Sequence, residues 1–192
     1  MQLIQMKDQI TIHDALIDYE VIRRNVKNAR IEYRNSELKV IVPKAHPDPH
    51  ELVQRHRRWI YNRHAHMKNV HSFAEKLELV HSRCEDEFTT FVNTLVKKIG
   101  NDIGAIPQKV RFRKMKTKWG SCSSKGNINF NSHMRQLPDE MIEYIVYHEM
   151  VHLIELNHSP RFWKHIKLRY PDYKKKKKEL SGYWHLLQKN NP

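Results

Sequence analysis

Apolar and polar residues alternate with a period of two in three short runs near the start of the chain, 15–22, 29–33 and 38–42. Such alternation puts every second side chain on one face of a pleated strand. Asn35-Ser36 supplies turn chemistry between the last two runs. Three antiparallel strands are expected, forming a small sheet with one basic face. The period then lengthens. Asp48-Pro49-His50-Glu51 has the form of a helix opening, with a cap, a proline at the first helical position and an acid in capping-box register. Leu52, Val53, His56, Trp59, Ile60 and Arg63 recur at helical spacing to about Met67. Residues 69–80 are weakly patterned and read as a link.

A second helical stripe follows, Phe88, Phe91, Val92, Leu95, Val96 and Ile99, with Gly100 as its expected stop. Residues 104–107 form a turn and 109–113 alternate as a strand. Residues 118–123 and 127–131 read as a hairpin joined through Ser124-Lys125-Gly126. Leu137-Pro138-Asp139-Glu140 is a helix start, with Pro138 at the first helical position and acids in the first turn. Residues 141–147 are apolar on nearly every face, as in a helix at the centre of a domain. Asn157-His158-Ser159-Pro160 ends that helix and opens another, with Ser159 as N-cap. Phe162, Ile166 and Tyr170 then follow at four-residue spacing, and Leu180, Tyr183, Trp184 and Leu187 mark a last helix.

Composition narrows the classes. Of 192 residues, 39% are hydrophobic and 29% charged, the balance of a soluble globular chain. No apolar run approaches the roughly 20 residues of a membrane span, and the start lacks the apolar core of a signal peptide. No membrane partner is expected. Cys84 and Cys122 belong to no Cys-x-x-Cys pair and read as thiols in a reducing cytoplasm. The net charge of +14 brings non-specific attraction to nucleic acid, which is not specific recognition. The lysine run 174–178 and the segment 55–59 each have two readings, a solvated helix surface or a phosphate-contacting patch. His64 and His66, two apart on a helix, face different ways and read as surface histidines.

The chemistry centres on His148-Glu149-Met150-Val151-His152. Four residues apart on a helix, two imidazoles lie nearly above one another, about 6 Å along the axis, and can share a cation. Glu149 flanks the same face as a carboxylate able to take a proton from an activated water. Polar groups within so apolar a helix need a partner, and a metal supplies one. His158, in the bend beyond the helix, could fold back as third ligand and leave the fourth position open, the mark of a catalytic site. The spacing from His148 to His158 equals that of the metzincin motif. That family is excluded, because Glu155 stands at its glycine position and no methionine follows Met150 for a Met-turn. Cys122 has a rival reading as a metal ligand, by analogy with peptide deformylases.

Four motifs in order carry a resemblance: Lys118-Trp119-Gly120-Ser121-Cys122-Ser123, Gly126-Asn127-Ile128-Asn129-Phe130-Asn131, His148-Glu149-x-x-His152, and Asn157-His158-Ser159-Pro160-Arg161-Phe162-Trp163. Together they resemble the YgjP-like metallopeptidase family, a neighbour of the WLM and SprT-type minimal zincins. The resemblance implies an α+β fold: a minimal zincin-like catalytic domain over residues 80–192, with the HExxH active-site helix and a small antiparallel sheet. A β-rich N-terminal subdomain over 1–68 packs on it or continues it as one domain, 1–192. It implies one Zn²⁺ per chain held by His148, His152 and His158, Glu149 as general base, and a polypeptide substrate. The hairpin becomes the substrate shelf through backbone groups of Gly120, Ser121, Cys122 and Ser123, with Trp119 in the core. Tyr144, Tyr170 and Tyr173 are candidate oxyanion donors, and Glu155 a candidate to orient a ligand imidazole. Two alternatives stay open: a basic nucleic-acid-associated module with a structural or vestigial metal site, and a zinc hydrolase of a small amide or ester.

Overall fold

The alternation near the start forms strands in the computed structural model, which describes residues 4–34, 37–45, 48–80 and 83–190. The chain divides into two units, Met1–Phe73 and Ala74–Pro192. In the first, β1 (Ile4–Ile12), β2 (Ala15–Arg23), β3 (Arg30–Arg34) and β4 (Glu37–Val42) lie in the order β1-β2-β4-β3. This differs from the three antiparallel strands expected. A strand precedes them, and β2 pairs with β4 in parallel, Val21 opposite Val40. The chain crosses from β2 to the far edge, forms β3 there, and returns antiparallel as β4. The polar run Lys7-Asp8-Gln9 hides β1 in the sequence, and pairing with β2 along its whole length compensates. The turn predicted at Asn35-Ser36 lies outside the described residues.

Asp48 caps α1 (Pro49–Arg55) as expected, its carboxylate accepting from the His50 N–H at 2.8 Å. The chain then breaks at His56 and resumes as α2 (Arg57–Ala74), where one helix ending near Met67 was expected. Val70 and Ala74 are buried and extend the helix through residues read as a link. Ile12, Ile17, Val21, Val40, Val53 and Ile60 form this unit's core. Trp59, placed on the apolar stripe by spacing, is 45% exposed.

The second unit contains α3 (Glu85–Ile103), β5 (Lys109–Arg113), β6 (Gly120–Cys122), β7 (Asn127–Asn131), a 3₁₀ turn (Ser132–Gln136), α4 (Asp139–Val151), α5 (Pro160–Arg169) and α6 (Tyr173–Asn190). The fold is α+β. β6 and β7 form the predicted antiparallel hairpin, and β5 joins β7 in parallel, so the sheet is mixed rather than antiparallel. α4 runs through the core with Tyr144, Ile145, Val146, Met150 and Val151 buried. Its cap differs by one residue from the sequence reading. Pro138 is the N-cap with extended ψ of 149°, and its carbonyl accepts from Met141 and Ile142. The stop of α3 also moves. Gly104 ends the helix at φ 67°, where glycine is favoured. Gly100 lies inside the helix, where a Cβ would come within 2.9 Å of the Ala105 carbonyl oxygen. α6 begins before the lysine run and includes it.

Candidate metal and catalytic site

His148 lies in the last turn of α4. His152 is one residue past the helix end but keeps helical dihedrals (φ −65°, ψ −14°), so the two rings stay on one face with centroids 5.2 Å apart. Beyond it the chain turns tightly, the Glu155 N–H donating to the Val151 carbonyl at 2.9 Å. Ser159 then caps α5 as predicted, accepting from the Phe162 N–H. This bend carries His158 back over the helix end, 5.1 Å from His148 and 4.7 Å from His152 between ring centroids.

One ring nitrogen from each of the three histidines lies within 4.8 Å of the others, and the Nε2 atoms of His148 and His158 are 3.0 Å apart. Tetrahedral ligands on bonds near 2.0–2.1 Å sit about 3.4 Å from one another. The set therefore fits a single tetrahedral cation. Three further observations support that fit. His152 Nδ1 lies 3.1 Å from the Glu155 carbonyl oxygen, which fixes Nδ1 as the protonated nitrogen and leaves Nε2 a lone pair. Burial, then the neighbouring His152 and His158, push the His148 imidazole down to about 3, and burial followed by His152 lowers His158. Neutral imidazole is the form that binds metal. Beneath all three rings lies Phe162, fully buried, at centroid distances of 4.9, 4.5 and 4.7 Å from His148, His152 and His158. Sequence spacing marked Phe162 only as core. Its position two residues into the helix capped by Ser159 is what puts it under the triad.

Glu149 is 7% exposed and sits against β6. A Cβ on Gly120 would lie 2.5 Å from Glu149 Cγ and 2.8 Å from Oε1, so only glycine leaves room for the carboxylate. Burial pushes this carboxyl up to about 7, against the pull of Lys118 and the Cys122 backbone N–H. A group poised there can both accept and return a proton near neutral pH.

β6 pairs with β7 on one side only among the described residues. The Trp119 carbonyl accepts from Asn131 and the Ser123 N–H donates to Asn127. By antiparallel alternation Ser121 also faces β7, whereas Gly120 and Cys122 turn their backbone groups to the other edge, where the Cys122 N–H meets the Glu149 carboxylate. The Ser123 carbonyl is taken by Gly126. Asn131 is fully buried and holds the approach to β6, its side chain donating to the Met115 and Lys118 carbonyls at 2.8 and 2.9 Å. Trp119 packs against the core and edge-on to Trp184, as expected of a core residue.

The donor atoms that converge are the three imidazoles, without the Cys122 sulfur. The Cys122 thiol bonds the Ser123 carbonyl, and burial plus Glu149 raise its pKa, which opposes the thiolate a metal needs. The Glu155 side chain does not orient His152. Its backbone carbonyl does, and its carboxylate meets Ser159 Oγ at 3.4 Å. Of the tyrosines, Tyr144 stands 6.2 Å from His148 between ring centroids, with its hydroxyl buried and unbonded among the described residues. Tyr170 packs on Tyr144, and Tyr173 stacks on Trp163. His64 is held by the Tyr33 hydroxyl at 3.0 Å and His66 is exposed.

A model of the YgjP-like metallopeptidase domain matches residues 68–183 of the 192. The chain belongs to the YgjP-like metallopeptidase family. The match covers the hairpin, α4, the histidine triad and α5. Membership makes this YgjP-like chain a peptidase by class and implies a divalent metal ion. Among solved structures it is similar to the metallopeptidase zymogen abylysin of Pyrococcus abyssi, at 27% identity over 46% of this chain and 88% of that one, TM-score 0.41. It is also similar to the zymogen jannalysin of Methanocaldococcus jannaschii, at 21% identity over 51% of this chain and 95% of that one, TM-score 0.41. No curated protein matches the chain. Among the described residues, no helix is long and apolar enough to cross a membrane.

Proposed function

We propose that this YgjP-like chain is a zinc-dependent peptidase, with His148, His152 and His158 as the metal ligands and Glu149 as the general base. The convergence of three imidazoles beside one buried carboxylate carries this reading. Three imidazole nitrogens favour zinc by ligand type, and a bound zinc ion would supply Lewis acidity, lowering the pKa of water and polarising an amide carbonyl. Phe162 holds the rings in register and the Glu155 carbonyl keeps His152 in the binding tautomer. Glu149 takes the proton from the attacking water and returns it to the leaving nitrogen. The substrate backbone extends along the open edge of β6, where Gly120 and the Cys122 carbonyl offer backbone groups to an added strand. Ser121 and Ser123 support that edge from the β7 side. Tyr144, whose ring is 6.2 Å from His148 and whose hydroxyl is unbonded among the described residues, is the preferred donor to developing charge on the carbonyl oxygen. Cys84 and Cys122 are free thiols, which supports a reducing, cytoplasmic setting.

The test is metal content and peptide cleavage measured together. Wild-type protein should carry about one zinc per chain and cleave an unstructured peptide. Glu149→Gln should keep the zinc and lose at least ~100-fold in kcat, while the triple change His148→Ala, His152→Ala, His158→Ala should lose both. Cleavage that survives Glu149→Gln would remove the carboxylate from the mechanism.

A further inference from the structure

The lysine run 174–178 is divided by α6 into parts with different surroundings. Lys176 is buried at 7% exposure, its ammonium 3.2 Å from Glu140 in the first turn of α4. Lys175 pairs with Glu179 one turn on, at 3.8 Å. Lys174 and Lys177 have no ion pair among the described residues, and with Trp163 and Tyr173 they line an open groove of about 300 Å³. The groove adjoins the triad. Trp163 stacks on His158 at 5.5 Å between centroids, Tyr173 stacks on Trp163 at 5.2 Å, and the Lys177 ammonium lies 4.9 Å from the Trp163 ring centre.

We propose that this groove is a substrate subsite that selects an acidic side chain, Asp or Glu, close to the scissile bond. The inference deepens the peptidase reading and rests on it for the position of the substrate. Its chemistry follows from the lining. Lys174 and Lys177, neither with an ion pair among the described residues, line one shallow space, and a carboxylate entering it is attracted by both. The aromatic walls give the methylene stem of such a side chain an apolar surface. A nucleobase is the poorer occupant, because His158, Tyr173 and Lys177 already lie against the Trp163 ring that would have to receive it. An acidic residue held here lies one ring away from His158, and so fixes which peptide bond reaches the triad.

The test uses the full-length zinc-loaded protein and two sets of peptides identical except that Glu in one is Gln in the other, with the substituted position walked along the chain. Cleavage is measured with wild type, and affinity by fluorescence anisotropy with Glu149→Gln, in which chemistry is off. At one position the Glu peptide should be bound and cleaved about fivefold better than its Gln partner, as two exposed ion pairs allow. The preference should shrink as salt rises. The double change Lys174→Gln, Lys177→Gln should bring the ratio to about one with bound zinc unchanged, and Lys177→Glu should favour the Gln peptide. Equal treatment of both peptides by wild type, or a preference that survives the double change, overturns the subsite while the peptidase reading stands. Lysine-dependent discrimination in binding with no cleavage of any peptide overturns the peptidase reading and keeps the groove as an acidic-peptide site. Lysine-dependent capture of single-stranded oligonucleotide, with no peptide discrimination, overturns the proposal in favour of nucleic acid.

Discussion

His50 and His64, in the N-terminal unit, each meet a tyrosine hydroxyl, whereas His148 and His158, in the C-terminal unit, meet each other. Tyr19 lies 2.6 Å from His50 Nδ1, with Asp8 beside both, and Tyr33 lies 3.0 Å from His64 Nδ1. Each of these two helix histidines finds its complement in a tyrosine of the sheet. In the triad, ring nitrogens that share the same chemistry are brought to 3.0 Å from each other. Two lone pairs at that distance repel unless a proton or a cation lies between them. The difference separates histidines that close a hydrogen-bond network from histidines that leave one open for a guest.

The comparison breaks most sharply at the metal. His148→Ala should take bound zinc from about one per chain to none, while the double change His50→Ala, His64→Ala should leave it at about one, read by elemental analysis of dialysed protein. Core truncation should separate the units next. Phe162→Ala removes a ring packed under three imidazoles and should cost ~3–5 kcal/mol in denaturant unfolding, with weakened zinc binding. Ile60→Ala, equally buried in the other unit, should cost ~2–5 kcal/mol and leave zinc affinity unchanged. A smaller effect follows from overpacking. Gly120→Ala forces a methyl into the space of the Glu149 side chain and should cost ~1–3 kcal/mol, with a fall in kcat larger than any change in zinc content.

The last contrast is in pH and belongs to the N-terminal unit. Burial and the adjacent Asp8 push the Tyr19 hydroxyl up to about 12, above its ordinary value of 10. The raised value means that Tyr19 contributes stability fully present below pH 10 and lost as pH rises through 12. Tyr19→Phe should flatten the unfolding free energy over that interval, measured by urea titration at stepped pH. A curve as steep as wild type would show that the hydroxyl ionises as freely in the folded chain as in the unfolded one.

Much of this was legible from spacing alone. The four-residue step from His148 to His152, the Ser159-Pro160 helix start and the hairpin about Gly126 each depend on local rules, and each stands where the sequence places it. What sequence reading missed depends on partners distant in the chain. The parallel pairing of β2 with β4 and of β5 with β7 follows from where a loop crosses, which alternation does not encode. Gly100 resembles a helix stop, but α3 continues because the close approach of Ala105 and Met150 needs a residue without a side chain. The purpose of Gly120 was hidden for the same reason. A backbone role in the hairpin was readable, while its clearance for Glu149 requires α4 to lie against β6. Lysines 174–178 look uniform in the sequence, and only α6 sorts the first four into a buried one, a paired one and two that line a groove.

The anchor of His152 is a main-chain oxygen, and this bears on how the site can change over generations. A side-chain anchor is lost with a single codon, but every amino acid at position 155 brings the same carbonyl. Mutational drift at Glu155 therefore leaves the tautomer of His152 intact, and only an insertion, deletion or rerouting of the bend between His152 and Ser159 removes it. The heritable part of this ligand's chemistry is the length of a loop.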